Sequence, residues 1–363
     1  MTATQAAPAA EPQAAPDPVD WAVAGRVARR IAGRDRREGV DLDQALRAEF
    51  AVVTTEAEGL VGDFTGLRAP AGAVAQVLDR NDWIDANVAS MRSLLAPLTG
   101  RIGERVARSP IAPVGRRVAG TEMGVLLGFM AQRVLGQYDL LVPDDPSAVV
   151  PGGEVYYVGP NIVGLERRFA VRSRDFRLWI AIHEVTHRAQ FMGVPWMKPY
   201  FLSLVHQALD IVDADPGRLM HALRRAADEL RRGHNPLDDG GLVALLATDQ
   251  QRAVLARVQA LMSVLEGHGN AVMNHVGHEH VAGQERMARV LSARRRSRGM
   301  SGLLFKLLGI ESKMRQYEVG EAFVDAVERE GGSGAINAVW QSPESLPTIE
   351  ELRAPSTWLA RVA

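Results

Sequence analysis

Phe176-Arg177-Leu178-Trp179-Ile180-Ala181-Ile182-His183-Glu184-Val185-Thr186-His187-Arg188-Ala189-Gln190-Phe191 places the pattern H-E-x-x-H inside a stretch with helical periodicity. Positions i and i+4 lie about 40° apart around a helix, so the imidazoles of His183 and His187 can reach one metal ion. Glu184 sits at an intermediate step of the same turn. There its carboxylate is badly placed as a third ligand to that ion, but it can hold and deprotonate a metal-bound water. At about 100° per residue, Phe176, Trp179, Ile180, His187 and Phe191 share one side with His183, while Arg174, Arg177 and Arg188 fall on the other. The two histidines are thus expected to point into the core and the arginines into solvent. Ser173 and Asp175 offer N-cap chemistry, and Gly193 with Pro195 offers a stop.

Composition narrows what surrounds this helix. The chain has 363 residues, 47% of them apolar and 23% charged, ordinary for a soluble globular protein. Forty-two basic against forty-three acidic residues leave a net charge of −1, which calls for no nucleic-acid partner. Without any cysteine, disulfides and thiolate ligation are excluded, so a metal site here must be built from His, Asp or Glu. Residues 1–20 are rich in Ala and Pro with no basic or apolar region, and read as a flexible tail rather than a signal peptide. No run of about eighteen apolar residues suggests a membrane span. A cytoplasmic location is expected, with residues 21–363 forming one domain and a potential division near residue 150.

The remainder reads as mainly α. Helical periodicity covers Trp21–Ile31, Asp41–Val53, Gly72–Val77, Trp83–Leu95 and Thr121–Leu135, then Phe201–Val212, Gly217–Arg231, Asp249–Met273 and Met314–Glu330. The best strand candidate is Glu154–Val158, β-branched and aromatic between Pro151-Gly152-Gly153 and Gly159-Pro160-Asn161. Arg232–Gly241 reads as a loop. The basic run Arg294-Arg295-Arg296-Ser297-Arg298 reads as a solvated helix end rather than a docking patch.

A catalytic zinc needs a third protein ligand, and Leu261–Met273 offers Glu266 and His268. They differ by about 200° around a helix, so they cannot both serve. Glu266 shares a face with Met262, Gly269, Asn270 and Met273, a stripe suited to close packing against the His183 helix. A carboxylate there is costly without a cation, so Glu266 is the expected third ligand. Asn270, one turn on, could hydrogen-bond a ligand histidine. His275, His278 and His280 read as surface residues, and His206 as a packed core histidine.

Several motifs carry a resemblance. Val134-Leu135-Gly136-Gln137-Tyr138-Asp139-Leu140, Val158-Gly159-Pro160-Asn161-Ile162, His183–Phe191, Leu265-Glu266-Gly267-His268-Gly269, Lys313-Met314-Arg315-Gln316-Tyr317 and Trp340–Pro347 together span roughly residues 20 to 362. With them the chain resembles the zincin-like metallopeptidases common in actinobacteria, often labelled as associated with the biosynthesis of a deazaflavin coenzyme. The resemblance implies a mainly α zincin-like fold with a small β element beside the active-site helix. It also implies a metal bound by the two motif histidines and a downstream acidic ligand that maps onto Glu266.

The expected chemistry is hydrolysis of an amide by one Zn2+ per chain, held by His183, His187 and Glu266, with Glu184 as the base. An oxyanion donor is also needed, for which Tyr317, Arg315, Tyr156 and Tyr157 are candidates. An extended peptide could add to the edge of strand Glu154–Val158. Two alternatives stand beside the peptidase: a metal-dependent hydrolase of a small-molecule amide, and a scaffold that keeps a metal for stability. Glu184 argues against the scaffold, because a structural zinc needs no base.

Overall fold

A computed structural model describes residues 17–33, 44–70, 72–107, 112–140, 153–210, 249–289 and 310–362. The segments Gly217–Arg231, Arg232–Gly241 and Arg294–Arg298 lie outside the described residues, as do the side chains of 310–318.

Helix α1 (Trp21–Ala32) starts on Asp20, whose carboxylate accepts from Val23 N–H at 3.0 Å. Long helices α2 (Gln44–Thr65), α3 (Arg80–Ala107) and α4 (Ala112–Ala131) follow, with strand β1 (Val74–Leu78) between α2 and α3. After α4 come β2 (Gly136–Tyr138), β3 (Glu154–Val158), α5 (Gly159–Phe169), α6 (Ser173–Gly193) and α7 (Met197–Asp210). Then α8 (Asp249–His280) and α9 (Ile310–Gly331) pair, and two short helices, α10 (Ile349–Arg353) and α11 (Pro355–Val362), close the C-terminal end.

The fold is mainly helical with one small sheet, ordered β1-β3-β2. Strand β3 falls where the sequence places it. The stretch Gly72–Val77, expected to be helical, instead contributes β1, which pairs parallel with β3 from Val74↔Glu154 to Leu78↔Val158. Its Ala and Gln residues suit a helix locally; pairing with a strand about eighty positions away overrides that preference. On the other side β2 runs antiparallel, with Gln137 opposite Tyr156. Strand β3 therefore has both edges occupied, and β1 and β2 are the outer strands, with β2 the one beside α6.

Helix α6 is the axis of the molecule. It packs against α2, α8 and β2, and fourteen of its residues are buried. Of the three arginines expected in solvent, Arg174 is exposed but Arg177 and Arg188 are buried, so past its first turn the helix has no solvent side. Arg177 donates from Nε and Nη2 to Glu166 at 2.7 and 2.8 Å and also pairs with Glu49; Arg188 pairs with Glu58 at 2.6 Å and donates to the Pro70 carbonyl. Both guanidiniums are neutralised by neighbouring elements, which permits their burial. The N-cap expectation also changes: the capping position is Arg172, with no side-chain cap bond. The helix ends where Val194, held extended ahead of Pro195, cannot continue it.

Two glycine contacts let the helices approach. A Cβ on Gly124 of α4 would lie 2.6 Å from the Ala24 carbonyl oxygen of α1, and one on Gly320 of α9 would lie 2.0 Å from the Ser263 carbonyl oxygen of α8. Among the described residues no helix is long and apolar enough to cross a membrane.

Candidate metal centre

The local sequence aims three side chains at one point. Helical spacing on α6 turns His183 and His187 to the same side, their rings 4.6 Å apart and nearly perpendicular, with the two Nε2 atoms 3.2 Å apart. Helix α8 brings Glu266 across from them, its Oε2 3.7 Å from each Nε2. The approach depends on Gly269, where a Cβ would sit 3.2 Å from Cε1 of both histidines. The ligand atoms of His183, His187 and Glu266 all lie within 4.8 Å of one another, an arrangement that could hold a metal ion.

The donor set fits zinc. Two ligands of a tetrahedral zinc at bonds of about 2.0–2.1 Å stand roughly 3.3 Å apart, close to the separation of the two imidazole nitrogens. Two nitrogens and a carboxylate oxygen are also the ligand type of catalytic rather than structural zinc, whose sites close with four protein ligands.

Glu184 is 7% exposed and lies beside this cluster without joining it. Strand β2 holds it from the other side. The Val158→Leu135 and Asp139→Glu154 backbone bonds fix the antiparallel alternation, so Gly136 and Tyr138 turn their own backbone groups to the free edge. There Tyr138 N–H donates to Glu184. Gly136 lies so close that a Cβ would be 2.6 Å from Glu184 Cγ and 2.7 Å from Oε1. The strand is placed in turn by Asn161 of α5, which donates to the Ala131 and Val134 carbonyls at 2.8 and 2.6 Å at the turn leading into β2.

Burial, reinforced by the Glu266 charge, raises the Glu184 carboxyl to about 7 even though His187 and the Tyr138 N–H pull it down. Burial alone would lower His187, but the Glu266 and Glu184 carboxylates overcome it and raise the imidazole to about 9. The protein groups of the centre thus attract positive charge. His268 lies outside it: burial, then the His187 charge, lowers it to about 3, and its ring meets Trp340 edge-on at 5.0 Å.

Glu266 thus stands in the cluster and His268 behind it, on opposite faces of α8 as helical phase expects. Asn270 is buried, but neither of its amide atoms is hydrogen-bonded among the described residues, so the expected bond to a ligand histidine is not made. Tyr156 and Tyr157 are excluded as oxyanion donors. The Tyr157 hydroxyl is buried against Thr54 at 2.8 Å, and that of Tyr156 is tied to Glu154 at 2.9 Å. Tyr317 and Arg315 belong to α9, and their side chains lie outside the described residues. His206 is exposed rather than packed in the core, and His275, His278 and His280 are at the surface as expected.

Sequence reasoning assigned no role to Gln190, Gly136 or Tyr138. Gln190 was within reach of helical spacing, three positions after His187; the other two depend on sheet register. The cluster opens into a pocket of about 310 Å3, walled by Gly136, Gln137 and Tyr138 on the strand side and by Leu140, Phe191, Phe201, Met262 and Leu265 on the apolar side.

The sequence pattern of the zincin-like metallopeptidases matches residues 19–359. No curated protein matches the chain. Among solved structures, a provisionally assigned hydrolase of novel fold from Chloroflexus aurantiacus is 33% identical, with a TM-score of 0.69 over 94% of this chain and 98% of that one.

Proposed function

Because the chain belongs to the zincin-like metallopeptidase family, and so to the metal-dependent hydrolases, we propose that it is a zinc peptidase with Glu184 as the general base. The observation that carries this reading is the position of Glu184: buried, outside the ligand set, and fixed between the centre and the free edge of β2. His183, His187 and Glu266 would hold the ion, which when bound supplies Lewis acidity toward a carbonyl oxygen and toward water.

Glu184 takes a proton from the water as its oxygen attacks the carbonyl carbon, then returns that proton to the amine nitrogen as the C–N bond breaks. Burial disfavours the charged form of Glu184 and so favours its taking the proton. The Tyr138 N–H keeps the carboxylate aimed while it changes charge. The outward backbone groups of Gly136 suit pairing with an extended peptide, which moves the expected docking edge from β3 to β2.

Glu184→Gln tests the assignment. Zinc content and melting temperature should stay at wild-type values while cleavage of a peptide mixture, followed by mass spectrometry, falls by several orders of magnitude. Activity that survives the change would remove Glu184 from the mechanism. The pocket volume supports a second reading, a small-molecule amidase, because about 310 Å3 suffices for one small ligand. Cleavage that improves as a peptide is lengthened on both sides of the bond favours the peptidase.

A further inference from the structure

Gln190 is fully buried on α6, one turn beyond His187, and its amide is committed on both sides. Its Nε2 lies 3.0 Å from the Leu265 carbonyl oxygen and 3.0 Å from His268 Nδ1; its Oε1 lies 2.9 Å from His187 Nδ1. The Leu265 carbonyl can only accept, which fixes the orientation of the amide: the nitrogen must face α8 and the oxygen must face His187. Two N–H donors then meet two acceptors, so His268 accepts at Nδ1. The remaining contact has one solution. An amide oxygen cannot donate, so His187 must carry a hydrogen on Nδ1, and Nε2 is the nitrogen turned to His183 and Glu266.

We propose that Gln190 is a positioning residue that holds the Nδ1 hydrogen of His187, so that Nε2 is the nitrogen turned into the centre and left to bind a metal. The lock is built from α8 as much as from α6, since Leu265 and His268 flank the ligand Glu266 in sequence. One set of bonds thereby couples the approach of the third ligand to the orientation of the second. A glutamine also serves better here than a glutamate, which would set a carboxylate against the Leu265 carbonyl with no hydrogen to donate. Metal-ligating histidines are commonly held through their other ring nitrogen, and losing such a partner weakens metal binding about 10–100-fold.

The inference rests on the metal centre proposed above, and the test separates the two. Nitrogen-15 NMR on the full chain, stripped of metal and at a pH where His187 is neutral, should show the Nδ1–H tautomer, although imidazole in water favours Nε2–H. The Nε2–H form in the wild-type protein overturns the proposal, with no variant needed. Gln190→Met, similar in volume but without hydrogen bonds, should shift His187 toward Nε2–H and raise the zinc Kd, read by chelator competition, about 10–100-fold. His268→Phe keeps the Leu265 bond and should shift both readouts less, which gives a second route if the methionine variant does not fold. Wild-type zinc binding left intact in Gln190→Met defeats this inference alone, whereas a wild-type chain that binds no zinc defeats the centre itself.

Discussion

Glu266 and His268 stand two positions apart on α8 and face opposite ways, so substituting each should give separable results. Glu266→Ala removes the proposed charged ligand, which Glu184, pinned by the Tyr138 N–H, is badly placed to replace. Zinc affinity should fall by at least a hundredfold, with the fold retained. His268→Ala takes a buried ring from between Gln190 and Trp340, so the melting temperature should drop while zinc binding weakens tenfold or less. Metal lost only in the His268 variant would mean that the ligand is misassigned. Gly136→Ala probes the opposite wall. Its Cβ would lie 2.6 Å from Glu184 Cγ, so the carboxylate must move. Since a displacement of about 1 Å can cost about a hundredfold, hydrolysis should fall that far with zinc content unchanged. Unaltered turnover would show that Glu184 tolerates the shift and is not held for catalysis.

At the scale of elements, what the sequence disclosed follows the range of the interactions involved. His183, Glu184 and His187 are legible because one helix determines their geometry, and Glu266 because phase along a second helix separates it from His268. β3 is legible from four β-branched and aromatic residues, Val155 to Val158, between glycines. β1 and β2 are not: Val74–Leu78 carries Ala and Gln, Gly136–Tyr138 is only three residues long, and both become strands through β3. With them went the outer edge of the sheet at β2 and the role of Gly136. The burial of Arg177 and Arg188 was likewise hidden, because their partners Glu166, Glu49 and Glu58 come from other helices. Close helix contacts are a third long-range feature, and α4 offers a matched pair to test them. Gly124→Ala would drive a methyl to within 2.6 Å of the Ala24 carbonyl oxygen and 2.7 Å of Val27 Cβ, and should destabilise the protein by about 1–3 kcal/mol. Exposed Gly115, with nothing within 4 Å of an added Cβ, should gain up to about 1 kcal/mol from the same change. Equal effects in denaturant unfolding would mean that α1 and α4 are not in the described contact.

For the molecule as a whole, the C-terminal segment completes the core behind the metal centre. Ile336, Val339, Trp340, Leu352 and Trp358 pack with Phe191 and Met197 from the α6–α7 region and with Leu261 and Leu265 of α8, so the wall against which His268 rests is assembled from the last residues of the chain. A polar clamp holds that segment shut. Arg361 donates from Nε and Nη2 to Glu351 at 2.6 and 2.9 Å and reaches the Glu344 and Leu346 carbonyls, while Glu351 also accepts from Thr348 N–H in a capping box that starts α10. The Arg361 hydrogen bonds hold the Glu351 carboxyl below its usual range, in spite of opposing desolvation. A carboxyl whose folded-state pKa is depressed contributes stability above its unfolded value of about 4.3, and that contribution is lost as the pH falls through the lower folded value. Glu351→Gln keeps an acceptor for Thr348 but loses the charge. It should therefore lower the melting temperature at pH 7 by an amount corresponding to about 1–2 kcal/mol, discounted because Arg361 is 40% exposed on its side chain. Thermal unfolding of both proteins from pH 7 downward should show the gap constant to about pH 5 and closing below the unfolded carboxylate value as the wild-type residue protonates. A gap that persists undiminished into that acid range would assign the loss to packing around Leu352 and Trp358 rather than to the charge.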